Sequence, residues 1–257
     1  MPAPNTESSR QVALARLRPP AERARSFSGW DLSDHRPHAL EPEPPWDFGN
    51  LVREFGPASS AVLDLGTGGG EILSALRPSL PNTVVATEEW IVNAPIAFRR
   101  LSPLGVHVVR AKSMQLPFAD ASFDLLLSRH EEFAPGEVAR VLAPGGRFVT
   151  QQVGRLNWRE LRRHFPRMTD FGDLRSECVE AFHRIGFAVE SKEHTHRVAY
   201  ASLGDIVFML SVAPWEIPDF DLERDLDALL ALEMDCGTAD GLLVTESRYL
   251  IIARKPR

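Results

Sequence analysis

The chain has 257 residues, 44% of them hydrophobic and 25% charged. At that length and composition a sizeable core can be buried and wholesale disorder is excluded. The formal charge of −6 provides no long-range attraction to phosphate backbones or anionic membranes, and no apolar run approaches the twenty or so residues of a membrane helix. Nucleic acid and membrane are therefore not expected as partners. Apart from Lys112, Lys192 and Lys255 the basic residues are all arginine, which is read as the coding bias of a GC-rich, bacterial genome. Cys178 and Cys236 lie far apart with no CxxC or zinc spacing, as expected of a reducing cytoplasm. No charged start followed by an apolar stretch opens the chain, so no secretory signal is expected. Residues 8–28 are rich in Arg and Ser, but Glu7 and Glu22 flank or interrupt them, and they are read as an arm rather than a transit peptide.

Val12, Leu14 and Leu17 define one face of a short helix expected to stop before Pro19-Pro20. From Trp30 to Trp46 four acids alternate with Pro37, Pro42, Pro44 and Pro45; such a stretch holds no regular helix and must run extended over something. Phe48, Leu51, Val52 and Phe55 then mark a helix. From residue 61 onward short apolar runs alternate with helical patterns. Strands are expected at 61–65, 83–86, 106–109, 123–127 and 147–153, with helices after the first, near 91–101 and near 138–142. That alternation predicts a doubly wound, mostly parallel α/β sheet. A helix at 174–185, a strand at 187–192 and a last strand at 242–253 complete seven strands. Between the last two lie helical patterns near 202–212 and 221–235, so an ordinary hairpin connection has been inflated into a helical insertion over about 195–241. A basic helix is expected at 158–164.

The strongest local signal is Val62-Leu63-Asp64-Leu65-Gly66-Thr67-Gly68-Gly69-Gly70-Glu71. Glycines at 66, 68 and 70 permit a tight turn and close approach of a ligand to the backbone. A dinucleotide-type G-x-G-x-x-G counted from Gly66 would place its last glycine at Glu71, so that pattern fails. With Asp64 two residues ahead, the segment is instead D-x-G-x-G-x-G. This resembles the first motif of the class I S-adenosylmethionine-dependent methyltransferases. Glu88, twenty residues beyond Gly68, matches the family's strand-end acid. Leu116-Pro117-Phe118-Ala119-Asp120-Ala121-Ser122-Phe123-Asp124 and Glu137-Val138-Ala139-Arg140-Val141-Leu142-Ala143-Pro144-Gly145-Gly146 are similar to two later family segments, in the same order. Residues 1–56 and 195–241 match nothing in the pattern.

The resemblance implies a Rossmann-like methyltransferase domain over 57–257, preceded by an arm and helix over 1–56 that would serve as a lid. It implies S-adenosylmethionine as cofactor and S-adenosylhomocysteine as product. Asp64, Gly66, Thr67, Gly68, Gly70, Glu88 and Ser128 would lie along the cofactor. The family often has an acid for the adenine amino group where Lys112 stands here, and a lysine cannot accept that hydrogen bond; Ser113 and Met114 are the alternative adenine contacts.

The acceptor would sit at the carboxyl ends of the fourth and fifth strands, beside Ser128-Arg129-His130-Glu131-Glu132 and Thr150-Gln151-Gln152. His130 is the candidate general base. Glu131 would orient it or, with Glu132, draw in a cationic amine. The competing reading makes Ser128 and Glu131 a capping box that opens a helix. His194-Thr195-His196 lacks a third ligand at a telling spacing, and no metal is expected. Trp30, Trp46, Trp158 and Trp215 would either wall an aromatic pocket or lie in the core. The expected activity is methyl transfer to O or N of a small molecule. An RNA methyltransferase and a non-catalytic cofactor-binding regulator are the two rivals.

Overall fold

In a computed structural model that describes residues 6–257, the strands are β1 (His38–Ala39), β2 (Ala61–Leu65), β3 (Thr83–Thr87), β4 (Val106–Val109), β5 (Phe123–Arg129), β6 (Leu142–Val153), β7 (Ala188–Tyr200), β8 (Gly237–Thr238) and β9 (Gly241–Arg254). The helices are α1 (Thr6–Arg25), α2 (Phe48–Phe55), α3 (Glu71–Leu76), α4 (Ala94–Leu101), α5 (Pro135–Val141), α6 (Leu174–Arg184), α7 (Leu203–Val212) and α8 (Leu226–Cys236). Strands β6, β5, β2, β3 and β4 lie side by side in parallel, and β9 runs antiparallel between β6 and β7. These are the seven strands expected. Two two-residue strands, β1 on β7 and β8 on β9, extend them to nine.

The apolar runs follow from burial on both faces. Val62 packs with Phe48, Leu73 and Leu101 from α2, α3 and α4. Its neighbours Leu63 and Leu65 pack with Val138 and Phe182 from α5 and α6. Strands β7 and β9 pair over thirteen residues, from Ala188↔Arg254 to Tyr200↔Leu242. At about 3.3 Å per residue they reach far beyond the parallel strands. Their overrun carries a further core cluster, in which Val198, Tyr200 and Val244 meet Leu17 of α1, Ile206 of α7 and Leu229 of α8.

Two helical expectations are corrected. Helix α1 does not stop at Pro19 but runs through both prolines to Arg25. Each proline lacks the N–H that would bond the carbonyl four residues back, a cost of about 3 kcal/mol in a helix interior. Tertiary packing offsets it. Ala13, Leu17, Pro20 and Ala24 form a buried stripe at helical spacing, while Val12 faces outward at 68% exposure. Arg10, Arg16 and Arg18 form ion pairs with Asp227, Glu233 and Glu223 on or beside α8. The basic stretch 158–164 is likewise not an α-helix. Trp158 takes a left-handed backbone (φ 53°) and is buried beside Tyr200, leaving one short 3-10 turn at Leu161–Arg163.

The proline-rich stretch does run extended. It supplies β1 to the outer edge of β7, Leu40 N–H bonds the Arg197 carbonyl at 3.0 Å, and the Glu41 carboxylate accepts from Arg197 N–H at 2.8 Å. Prolines cannot be templates for further pairing, so the sheet edge is closed.

The family-like segments acquire structural reasons. Asp124 accepts the Ser60 and Ala61 N–H groups at 2.8 and 3.0 Å, pinning the start of β2. Glu137 accepts Leu116 N–H and pairs with Arg140, which also donates to the Phe118 and Leu116 carbonyls. The guanidinium and hydrogen bonds hold the Glu137 carboxyl down at about 2. These residues brace the loop leading into β5, not a ligand.

If α1 is an integral layer, Leu17→Ala should cost about 2–4 kcal/mol in denaturant unfolding, while Val12→Ala should stay within about 0.5 kcal/mol. Equal, small effects would show α1 to be undocked.

Candidate active site

Strand β2 delivers the chain into the turn Gly66–Gly70, and Gly66 and Gly68 both have φ of 62°, a region that disfavours side chains. Both also lack room. A Cβ on Gly66 would overlap the Glu131 side chain, and one on Gly68 would overlap Trp30. Thr67 N–H is held by the Thr87 carbonyl at 2.9 Å, but its hydroxyl is buried with no hydrogen-bond partner. A glycine backbone on which Glu131 and Trp30 lie directly, with a buried hydroxyl that lacks a hydrogen-bond partner, is a place where a ligand would find unused polar groups.

Three carboxylates surround this turn. Glu88, buried at the end of β3, accepts Gly68 N–H at 2.7 Å and Trp90 N–H at 2.9 Å. Burial raises its pKa against the pull of those bonds. Asp64, half-buried in β2, is pushed up to about 7, chiefly by burial and further by the charge of Glu88, with the nearby Thr67 side chain opposing the rise though outside hydrogen-bond geometry. Glu131 is also pushed up to about 7 by burial, with Glu88, Glu89 and Glu132 adding repulsion and the nearby Ser113 hydroxyl opposing it. Like charges crowded into low dielectric cannot all ionise cheaply. A positively charged ligand would relieve all three.

The other expected cofactor residues lie near this turn. Gly70 (φ 80°) caps α3. Ser128, fully buried at the end of β5, donates to the Glu131 carbonyl at 3.2 Å and accepts from Gln152 at 3.2 Å. Ser113 is buried, whereas Met114 is 45% exposed and Lys112 is exposed in the same turn. The capping box is absent: β5 ends at Arg129, and the next helix, α5, begins only at Pro135. Ser128 and Glu131 thus hold a loop.

His130 follows β5 with a left-handed backbone (φ 60°) and its N–H on the Gln151 carbonyl at 2.9 Å. It is open to solvent yet has protein packed close around its ring. That crowding, followed by the charges of Arg129 and Arg248, pushes its pKa well below the usual value, so at pH 7 the ring is neutral.

Sequence reasoning named Trp30 and Trp215 as possible pocket walls but missed Trp90 between them. Trp90, two residues past Glu88, meets Trp30 of the arm (6.5 Å between ring centroids) and Trp215 of the insertion (5.8 Å); Trp30 and Trp215 are 6.2 Å apart. Gly29 N–H bonds the Asn93 side chain at 2.8 Å. Three segments distant in sequence thus meet over the glycine turn, a juxtaposition that no local spacing announces. Of the other expected aromatic residues, Trp158 lies in the core and Trp46 bonds Gln151 at 2.9 Å. His194 and His196 lie 5.4 Å apart between ring centroids, but no group of three or more potential metal-ligating side chains occurs among the described residues.

The raised Asp64 pKa has a definite consequence for stability. Below about pH 4 the carboxyl is neutral in both folded and unfolded chains. As pH rises toward 7 the unfolded chain ionises first, so the cofactor-free fold loses stability across that window and then stays at the lower value. Asp64→Asn should therefore raise unfolding free energy more at pH 8 than at pH 4, by about 1–3 kcal/mol, in paired denaturant titrations. A gain independent of pH would show that Asp64 is not held neutral.

The methyltransferase domain family model matches residues 63–150. Among curated relatives, demethylmenaquinone methyltransferase of Thermus thermophilus is 35% identical over 105 residues, 36% of this chain and 46% of that protein. Malonyl-[acyl-carrier protein] O-methyltransferase of Methylococcus capsulatus is 31% identical over 121 residues, 43% and 44% of the two chains. The ubiquinone/menaquinone biosynthesis C-methyltransferase UbiE of Desulfotalea psychrophila is 35% identical over 101 residues, 36% and 41%. The chain thus spans about half the length of the curated relatives it matches. In fold it is similar to a crystal structure of a putative methyltransferase from Bacillus halodurans, with a TM-score of 0.61 at 18% identity over 82% of this chain and 99% of that one. Residues 63–150 thus match a methyltransferase domain family, and the mostly parallel sheet around them is the fold of the solved methyltransferase-like structure.

Proposed function

We propose that the protein transfers a methyl group from S-adenosylmethionine to a small-molecule acceptor. The observation that carries this reading is the glycine turn ringed by Asp64, Glu88 and Glu131, with the unpartnered Thr67 hydroxyl inside it. When bound, the cofactor supplies an electrophilic methyl on a sulfonium, so the protein needs to make no strong electrophile of its own. Its work is to bind the cation, align the acceptor, exclude water and handle one proton.

In this reading the Gly66–Gly70 backbone and Thr67 hold the cofactor, with Asp64 and Glu88 as its hydrogen-bond acceptors. Ser113 and Met114 border the adenine end and Ser128 supports the loop between. Glu131 lies against Gly66, which favours a role in balancing the cofactor's positive charge over orienting His130. His130 is neutral at pH 7 and open to the cleft, so its ring nitrogen is available to receive the acceptor's proton. The acceptor atom expected at O or N widens to include carbon, since two relatives are titled an O- and a C-methyltransferase. The arm over 1–56, whose first five residues lie outside those described, and the helical insertion would act together as a cover, because Trp30 and Trp215 meet Trp90 above the turn.

Calorimetric titration with S-adenosylmethionine should give saturable binding, weakened at least about 10-fold in Glu131→Gln through loss of a charged partner. His130→Ala should leave that affinity nearly unchanged and lower turnover by about 100-fold or more once an acceptor is found. Absence of any binding would end the methyltransferase reading, and an unchanged rate in His130→Ala would remove the imidazole from the chemistry.

A further inference from the structure

We propose that Arg129 anchors an oxyanion group, carboxylate or phosphate, on the methyl acceptor, where the carboxyl ends of β5 and β6 face the 36–47 segment. This rests on the acceptor site proposed above. Alternation along β5 places Leu125, Leu127 and Arg129 on one face, and the first two pack in the core under α2 and α4. Arg129 pairs in register with Gln151, whose amide oxygen accepts the Trp46 N–H at 2.9 Å. Gln152 turns to the opposite face and bonds Ser128, Thr150 and the Glu131 carbonyl. Arg129 therefore lies on the opposite face of the sheet from the Ser128–Gln152 contacts that steady the Glu131 loop, immediately before His130.

A guanidinium presents five donors and no acceptor. Among the described residues Arg129 has no ion-pair partner and no side-chain hydrogen bond, although its neighbours are all engaged. Arg248 is committed to Glu246 at 3.1 Å and to Asn157 at 2.6 Å, and Arg36 to Glu43 at 3.2 Å. The two acids whose charge reaches Arg129 are equally committed. Asp47 accepts Asn50 N–H at the start of α2, and Glu246 is held by Arg248. The side chain is open to solvent but ringed by protein, and that crowding, with the positive charges of Arg248 and Arg36, pulls its pKa below the ordinary value.

The same wall holds a second unsatisfied group. His196 is 4% exposed, its Nδ1 has no hydrogen-bond partner, and it pairs in register with Glu246. A guanidinium with no partner, beside two other cations, is matched by an oxyanion, which takes two parallel N–H bonds from one guanidinium. A cationic amine acceptor is disfavoured by the same layout. Glu131 lies against Gly66, and Glu132 is exposed on the following loop.

The test is calorimetric titration with inorganic phosphate and, separately, with malonate. It is run at low salt on the free protein and on protein saturated with S-adenosylhomocysteine, for the wild type, Arg129→Gln and Arg129→Lys. Wild type should bind one of the two oxyanions. Arg129→Gln should weaken that binding at least about 10-fold, Arg129→Lys less, and neither should alter S-adenosylhomocysteine affinity beyond about 2-fold. Preference for phosphate assigns a phosphorylated acceptor, and preference for malonate a carboxylic acid. No oxyanion binding to wild type, equal binding to Arg129→Gln, or a parallel fall in cofactor affinity would overturn the proposal. Failure of S-adenosylhomocysteine to bind would instead strike the methyltransferase reading, and the titration of free protein would still decide Arg129.

Discussion

The rest of the structure depends on one electrostatic constraint: three carboxylates held around one glycine-rich backbone turn. Strand β2 carries Asp64 into the turn, Glu88 follows the end of β3, and the loop after β5 lays Glu131 across Gly66. Parallel pairing of these three neighbouring strands brings the acids together, because their carboxyl ends share one edge of the sheet. In the absence of a cation this is unfavourable, as the raised Asp64 and Glu131 pKa values record. The fold accepts that cost at one place and recovers stability in buried strands and in braces such as Asp124 and Glu137–Arg140.

The surplus chain beyond the generic sheet is concentrated over this edge. Helix α1 docks on α7 and reaches α8 through its arginines, the proline-rich stretch closes the β7 edge, and Trp30 and Trp215 converge on Trp90. Arm and insertion are thus coupled to each other and to the residue two positions beyond Glu88. Since such a sheet hosts many chemistries, what distinguishes this protein resides in these additions and in the cleft they border.

Much of this was legible in the sequence, for identifiable reasons. Asp64 to Gly70 announces its turn because only glycine tolerates the positive φ and the close contacts at 66 and 68. The mostly parallel sheet follows from alternating apolar runs and helical patterns. What stayed hidden depends on tertiary contact. Pro19-Pro20 signal a helix end locally, and only the buried stripe Ala13–Leu17–Pro20–Ala24 overrides them. Ser128 and Glu131 have the spacing of a capping box, yet the chain leaves β5 through a left-handed His130 and forms a loop. Trp90 looked like any residue following a strand until Trp30 and Trp215 arrived from sixty and one hundred and twenty-five residues away. Arg129 was one letter in a polar run, and its lack of a partner is visible only once its neighbours' partners are known.

The central claim is that the glycine turn is a cation site kept partly protonated until its ligand arrives. Proton release on S-adenosylmethionine binding tests it most directly, measured by calorimetry near pH 6.5 in buffers of different ionisation enthalpy. The wild type should release a substantial fraction of a proton as the cation lowers the pKa of Asp64 and Glu131, and Glu131→Gln should release measurably less. Binding with no proton release, or release unchanged in Glu131→Gln and Asp64→Asn, would contradict the account.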